Sequence, residues 1–488
     1  MAVRESLSHV DTAWLRMDRP SNLMQIVGVM LFDGPLDYVR LRQSVERRLL
    51  GYRRFRQRAV AEGNGWCWVD DADFDLDNHL RRATLPGKAG KVELQRFVAD
   101  LAVQSLNPDR PLWELHLVDT SLGGQALVMR IHHCIGDGIA LVGVILSLTD
   151  ATPEALGCHP PPVFSSDDDE QPVDEFFWRL FWRPVADTML ASVRLSTNAW
   201  ARYVGLLSNP MQVLDYARVG AGVASEIARL ATMADDSRTS LKGKPGTIKR
   251  VAWAEPISLP EVKAVGRVLG CSVNDMLLSA VAGALREYLI ERGDAVDGVE
   301  IRALVPVNLR KPKDQGTLGN RFGLVALELP VGMENPLARL YATRERMEKL
   351  KGSYQAAVTL TLLGAVGMVP KFVQQQVLDL LANKATAIMT NVPGPQNALY
   401  LAGAKLRQPL FWVPQSGDIG IGVSILSYDG KVQFGLITDR NMVPDPERIV
   451  ERFALEFEKL LLLVLMEPWE RLDDPHAVEA AVRAETAR

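Results

Sequence analysis

His132-His133-Cys134-Ile135-Gly136-Asp137-Gly138 is where this chain concentrates residues able to move a proton. A neutral imidazole titrates near pH 6.5, so at cellular pH it takes a proton from a hydroxyl and can return it. Adjacent residues on a strand point to opposite faces, so His132 and His133 meet different surroundings. His133, nearer the turn, reads as the general base, and His132 as a hydrogen-bonded support inside the fold. Asp137 lies too close in the turn to act as a free acid. It is expected to pair with an arginine and pin the loop, while Gly138 completes the turn. The chain holds 7 histidines in 488 residues. A chance His-His-x-x-x-Asp-Gly is then on the order of one in two thousand.

Other chemistries compete for the same residues. Two core histidines with satisfied hydrogen bonds would explain a lone pair, but not the Asp-Gly that accompanies it. A metal site from His132, His133 and Asp137 is disfavoured, because neighbouring strand residues diverge and no further His or Cys cluster supplies ligands. No metal is expected. A Cys134 nucleophile served by His133 is disfavoured as well, since sequence neighbours rarely reach nucleophile–base geometry. Cys134 reads as a small buried residue. No histidine lies between His159 and His476. In a two-lobed enzyme only the first lobe would then contribute the base, and the second would supply binding surface and hydrogen-bond donors.

The elements that position the motif are legible. Gln125 to Ile131 is an apolar run that reads as a buried strand leading in, and Ile139 to Leu148 reads as a buried helix leading out. Before them, Met24 to Phe32 reads as a strand, Val39 to Leu50 and Val92 to Leu106 as helices, and Leu112 to Leu117 as a strand. Pro160-Pro161-Pro162 and Asp167 to Glu170 mark a solvated linker. A helical pattern from Asp174 to about Ala234 follows. It opens on Phe176 to Arg183, an aromatic stripe with arginines suited either to lipid headgroups or to packing on the protein. Beyond Thr247 a second mixed block begins. Leu259 to Leu269, Ser272 to Arg292 and Glu447 to Met466 read as helices. Ile301 to Asn308, Arg321 to Leu329 and Ile419 to Leu426 read as strands, and Lys431 to Ile437 pairs with the last across Tyr428-Asp429-Gly430.

The reading is thus α/β, with residues 1–160 as an N-terminal lobe carrying the histidines and 161–245 as an acidic linker and helical crossover. Residues 246–470 form a C-terminal lobe and 471–488 a polar tail. A net charge of -4 excludes a general nucleic-acid binder, and 23% charged residues are ordinary for a globular protein. Neither a dinucleotide glycine fingerprint nor a P-loop is present. Four scattered cysteines point to a reducing compartment. Asp11, Asp18 and Arg19 interrupt any leader-like apolar run, and no stretch is a convincing membrane span. A cytoplasmic protein is expected, at most peripheral on a membrane.

Several blocks in order then resemble one family. Residues 132–138 resemble the active-site motif of acyltransferases with the chloramphenicol-acetyltransferase-like fold. Within them the chain is most similar to bacterial wax ester synthase/acyl-CoA:diacylglycerol acyltransferases, over about residues 6–466. Leu7-Ser8-His9-Val10-Asp11 with Phe32-Asp33-Gly34, Pro111-Leu112-Trp113-Glu114 and Val273-Asn274-Asp275 resemble family blocks. So do Val305 to Arg310, Gly319-Asn320-Arg321 and Asn391 to Pro395. Met24-Gln25 departs from the family's usual Met-His.

The resemblance implies two similar lobes with the active site in a tunnel between them. It implies acyl-CoA as a substrate, no cofactor, and transfer to a diacylglycerol or a long-chain alcohol. His133 would deprotonate the acceptor, which attacks the thioester directly, with no acyl-enzyme. Asn274 and Asn308 are candidates for polar groups near the substrate and its oxyanion, or else structural residues holding a turn or strand end, and Arg310 or another arginine is the candidate partner of Asp137. Residence on the inner face of the plasma membrane or on lipid inclusions would suit such substrates. Two alternatives remain: a condensation-type enzyme taking its acyl group from a carrier protein, and a non-catalytic lipid-inclusion surface protein.

Overall fold

The computed structural model describes residues 4–63, 65–155, 232–309, 318–351, 355–368, 384–466 and 475–486. The linker and crossover expected over 161–245, with the aromatic stripe from Phe176, lie outside the described residues up to 231, as does Arg310. The N-terminal part runs β1 (Glu5–Ser6), α1 (His9–Arg16), β2 (Gln25–Asp33), α2 (Tyr38–Ser44), β3 (Gln57–Glu62) and β4 (Gly65–Asp70). It continues through β5 (Leu80–Thr84), α3 (Lys91–Ala102), β6 (Trp113–Asp119), β7 (Gln125–His132) and α4 (Gly138–Leu146). The C-terminal part runs β8 (Lys249–Trp253), β9 (Ile257–Ser258), α5 (Leu259–Val268), α6 (Val273–Glu291), β10 (Ile301–Asn308) and β11 (Phe322–Leu329). Then follow α7 (Pro336–Lys351), α8 (Gln355–Met368), β12 (Ala387–Pro393), β13 (Tyr400–Leu401) and β14 (Ala404–Trp412). The chain closes with β15 (Ile421–Tyr428), β16 (Lys431–Asp439), α9 (Glu447–Met466) and α10 (Pro475–Thr486).

Two large mixed sheets carry the fold. One has the order β13-β14-β2-β7-β6-β5, the other β11-β10-β12-β15-β16-β8 with β9 on β16. A small β1-β4-β3 sheet stands apart. In the first, β2 and β7 are antiparallel with Gln25 opposite His132, and β6 pairs β7 with Trp113 opposite Ile131. Both faces of β2 are covered, which is why its sequence reads as a continuous apolar run rather than an alternation. Ile26, Met30 and Phe32 enter one core with α4, while Val27, Val29 and Leu31 pack on Leu94 and Val98 of α3. Gly28 lets the strands close up, since a Cβ there would fall 2.6 Å from Phe411.

The second sheet packs on α6, buried along its length, and on α9, whose Ile449, Phe453, Phe457, Leu460 and Val464 form one inward stripe. Glu456 within that stripe is bonded to Arg339 of α7. No single described helix is long and apolar enough to cross a membrane.

Two findings revise the division of the chain. A C-terminal lobe drawn as 246–470 does not follow the sheets, because β14 leaves it and pairs antiparallel with β2 across a bulge between Leu406 and Gln408. Residues 471–488 are not a loose polar tail throughout. α10 docks through buried Val478, and Glu479 accepts a hydrogen bond from Arg344 at 2.6 Å.

Candidate active site

The motif begins where β7 ends. The His132 amide donates to the Leu112 carbonyl at 2.9 Å and the His133 amide to Met24 at 2.7 Å, so both neighbouring strands of the sheet hold the histidine backbone. Asp137 then caps α4. Its carboxylate accepts from the Ala140 amide at 3.0 Å.

The two rings part company. His132 Nδ1 accepts from the Cys134 amide at 3.1 Å, which places its proton on Nε2, facing the Asp18 carboxylate at 3.4 Å. Asp18 in turn accepts from the Met24 amide at 2.6 Å. His132 is thereby a brace within the first lobe. His133 instead lines a cavity between the two sheets. Trp14 of α1 stacks on its ring at 4.1 Å between centroids, and Phe322 of β11 leans on it at 5.5 Å. Burial pushes the His133 imidazole down to about 4, against the opposing pull of Asp137, so it is neutral at pH 7. Its Nδ1 is buried without a hydrogen-bond partner among the described residues.

The cavity has one wall from each sheet. Ile26 and Phe411 come from the first. Pro306, Leu324, Ile388, Thr390, Asn391, Ser424 and Leu426 come from the second. Val413 and Pro414, where the chain passes from β14 toward β15, close the space between them. The lining is apolar but for Asp137 on the imidazole's own side and a few polar groups from the second sheet, the arrangement expected of a site for a long aliphatic substrate. Thr390 spends its hydroxyl proton on the Val423 carbonyl at 3.2 Å. Ser424 Oγ accepts from the Phe411 amide at 3.4 Å, and this leaves its proton available to the cavity.

The remaining candidates fall into place unequally. Gly138 is the first residue of α4 rather than a turn residue. An added Cβ there would lie 3.0 Å from a Val413 methyl on the opposite wall, a contact tight enough that the valine would have to give way. The Asp137 carboxylate also accepts from the Arg321 main-chain amide at 3.0 Å, so its tie to the second lobe runs through backbone as well as any guanidinium. Asn274 stands behind the wall, its side-chain oxygen accepting from Asn391, which does line the cavity. Asn308 ends β10 opposite Phe322 and is not part of the lining. Trp14, Phe322, Asn391 and Ser424 escaped the sequence reading. Nothing local distinguishes them from core residues, although Asn391 sits in a block already singled out.

Residues 7–277 match the model of the wax ester synthase/diacylglycerol acyltransferase catalytic domain, and 318–461 that of the WS/DGAT C-terminal domain. A Mycobacterium tuberculosis protein named "Probable diacyglycerol O-acyltransferase tgs1" is 28% identical over 458 residues, 90% of this chain and 92% of that one. The wax ester synthase/diacylglycerol acyltransferase of Marinobacter aquaeolei VT8 superposes with a TM-score of 0.65 at 21% identity, covering 94% of this chain and 98% of that one. The first condensation domain of the calcium-dependent antibiotic synthetase superposes at 0.59 with 15% identity, covering 94% and 96%. These two structural likenesses bear on the fold alone, which is the two-lobed one.

Proposed function

The chain belongs to the wax ester synthase/diacylglycerol acyltransferase family, and on that premise we propose that His133 is the general base of its acyl transfer. The protein is an acyltransferase whose acceptor is a diacylglycerol, a long-chain alcohol, or both. The single observation that carries the role of His133 is its position: the one motif imidazole that opens on the apolar cavity, neutral, with its other nitrogen sealed away.

In this reading the acceptor hydroxyl lies against Nε2 and passes its proton to it as the oxygen attacks the thioester carbonyl. The C–O bond forms, the carbonyl π electrons move onto oxygen, and collapse expels the CoA thiolate, which takes the proton back from the imidazolium. No acyl-enzyme is formed and no cofactor is called for. Ser424 is the hydroxyl on the facing wall that is placed to serve the oxyanion. Acyl-CoA is read as the donor because the family acts on it. Attachment to a membrane or lipid inclusion from the cytoplasmic side would bring the acceptor to the cavity.

The test is CoA release from palmitoyl-CoA with dioleoylglycerol or hexadecanol as acceptor, for the wild type and His133→Ala. Acceptor-dependent release should fall by about a hundredfold or more in the variant, and the ratio of the two wild-type rates names the main product. Undiminished release in folded His133→Ala removes His133 as base. A wild type silent with both acceptors points to a carrier-bound donor.

A further inference from the structure

Asn320 belongs to the C-terminal part of the chain, two residues before β11 begins, yet its side chain works in the N-terminal part. Its amide nitrogen donates to Asp11 Oδ1 at 2.8 Å and to the His133 carbonyl oxygen at 2.8 Å. Both partners are acceptors, so the orientation of the amide is determined by them. The residues on either side hold the far end of the same turn. The Asp137 amide donates to the Gly319 carbonyl at 3.4 Å, and the Arg321 amide donates to the Asp137 carboxylate at 3.0 Å.

Asp11 closes a second loop. It lies on α1 three residues before Trp14, one helical turn away on the same face, and Trp14 stacks on the His133 ring. The ring of His133 is therefore held from α1 and its backbone from Asn320, and these two supports are hydrogen-bonded to each other. Asn320 is buried and is not part of the cavity lining. The strand that follows it supplies Phe322 and Leu324 to the wall facing the base.

We propose that Asn320 is a positioning residue. By donating at once to the His133 carbonyl and to Asp11, it fixes the imidazole relative to the opposite wall, so that the base is aligned when the two lobes are docked. This inference rests on His133 being the base. A displacement of about 1 Å at a reacting group lowers turnover by up to roughly a hundredfold while leaving distant binding contacts in place. Loss of the amide should accordingly act on kcat.

The experiment compares Asn320→Ala, the exchange pair Asp11→Asn with Asn320→Asp, and His133→Ala, with palmitoyl-CoA and dioleoylglycerol. Rates are read well below each variant's own Tm. Asn320→Ala should lose about tenfold or more in kcat, with KM for palmitoyl-CoA within about twofold of wild type. In the exchange pair, the amide brought to position 11 donates to the carboxylate brought to position 320 and restores a bond between the lobes. That carboxylate has no N–H to offer the His133 carbonyl. The pair's kcat should stay tenfold or more down, at whatever Tm it reaches. A kcat that recovers in the exchange pair, or that never fell in Asn320→Ala, overturns the proposal and leaves Asn320 a structural link. Active His133→Ala would overturn the base assignment instead, whereas inactive His133→Ala beside fully active Asn320 variants defeats the positioning role alone.

Discussion

At the scale of the residue, His133 is set apart by desolvation. An imidazole drawn down to about 4 by burial takes up its proton only after the unfolded chain, titrating near 6.5, has taken up its own. Between those values the unfolded state holds more protons, so this group's contribution to stability declines as pH falls from about 6.5 to about 4. Thermal melts across that window should show the wild type losing about 1–3 kcal/mol more than His133→Gln, which does not titrate. Parallel melting curves for the two proteins would mean the imidazole is not desolvated. That His133 faces other surroundings than His132 was legible, because side chains alternate along a strand. The partners that shape its environment were not. Trp14 and Asn320 lie 119 and 187 positions away in the chain (from 133 to 14, and from 133 to 320), and only folding joins them.

At the scale of the element, the strands that lead into the motif are locked by a buried ion pair. Glu114 of β6 accepts from Arg130 of β7 at 2.7 and 3.2 Å, and His116 Nε2 lies 3.1 Å from the same oxygen. Burial raises the carboxyl, but the bonds from His116 and Arg130 outweigh it and hold Glu114 at about 2. Glu114→Gln leaves the buried Arg130 without its counter-charge and should cost about 3–5 kcal/mol at pH 7. Because the folded carboxyl titrates below the unfolded one, the gap should narrow as pH falls from about 4.5 toward 2. Equal Tm values at pH 7 would show the pair to be dispensable. The block from Pro111 to Glu114 thus reads physically as a brace for the motif rather than as part of the cavity. The helices α4, α6 and α9 stood out in the sequence through continuous or striped apolar runs. β12 and β14 did not, because Asn391, Pro393, Gln408 and Pro409 interrupt any strand pattern, and each strand exists by virtue of the neighbours it pairs with.

At the scale of the molecule, the two sheets are tied by β14, by Asn320 and by a buried polar link. Lys249 of β8 donates to the side chain of Asn22 at 2.7 Å and lies 3.4 Å from the Asp439 carboxylate, while Asn22 donates to the Gly417 carbonyl at 2.7 Å. Lys249→Met would leave Asp439, fully buried, without that cation and sever the link to Asn22. A loss of about 3–5 kcal/mol is expected by denaturant titration, and an unchanged midpoint would place the lobe contact elsewhere. The sequence by itself determined the α/β class, the His-His-x-x-x-Asp-Gly block with its flanking strand and helix, and the family, because these are written in local periodicity and in short contiguous blocks. Tertiary structure alone decided that β14 belongs to the first sheet and that Gly138 lies against Val413. It also decided that the motif is gripped from the far lobe by Gly319, Asn320 and Arg321. Those are matters of pairing and close approach between distant segments, and neither propensity nor spacing along the chain encodes which segments will meet.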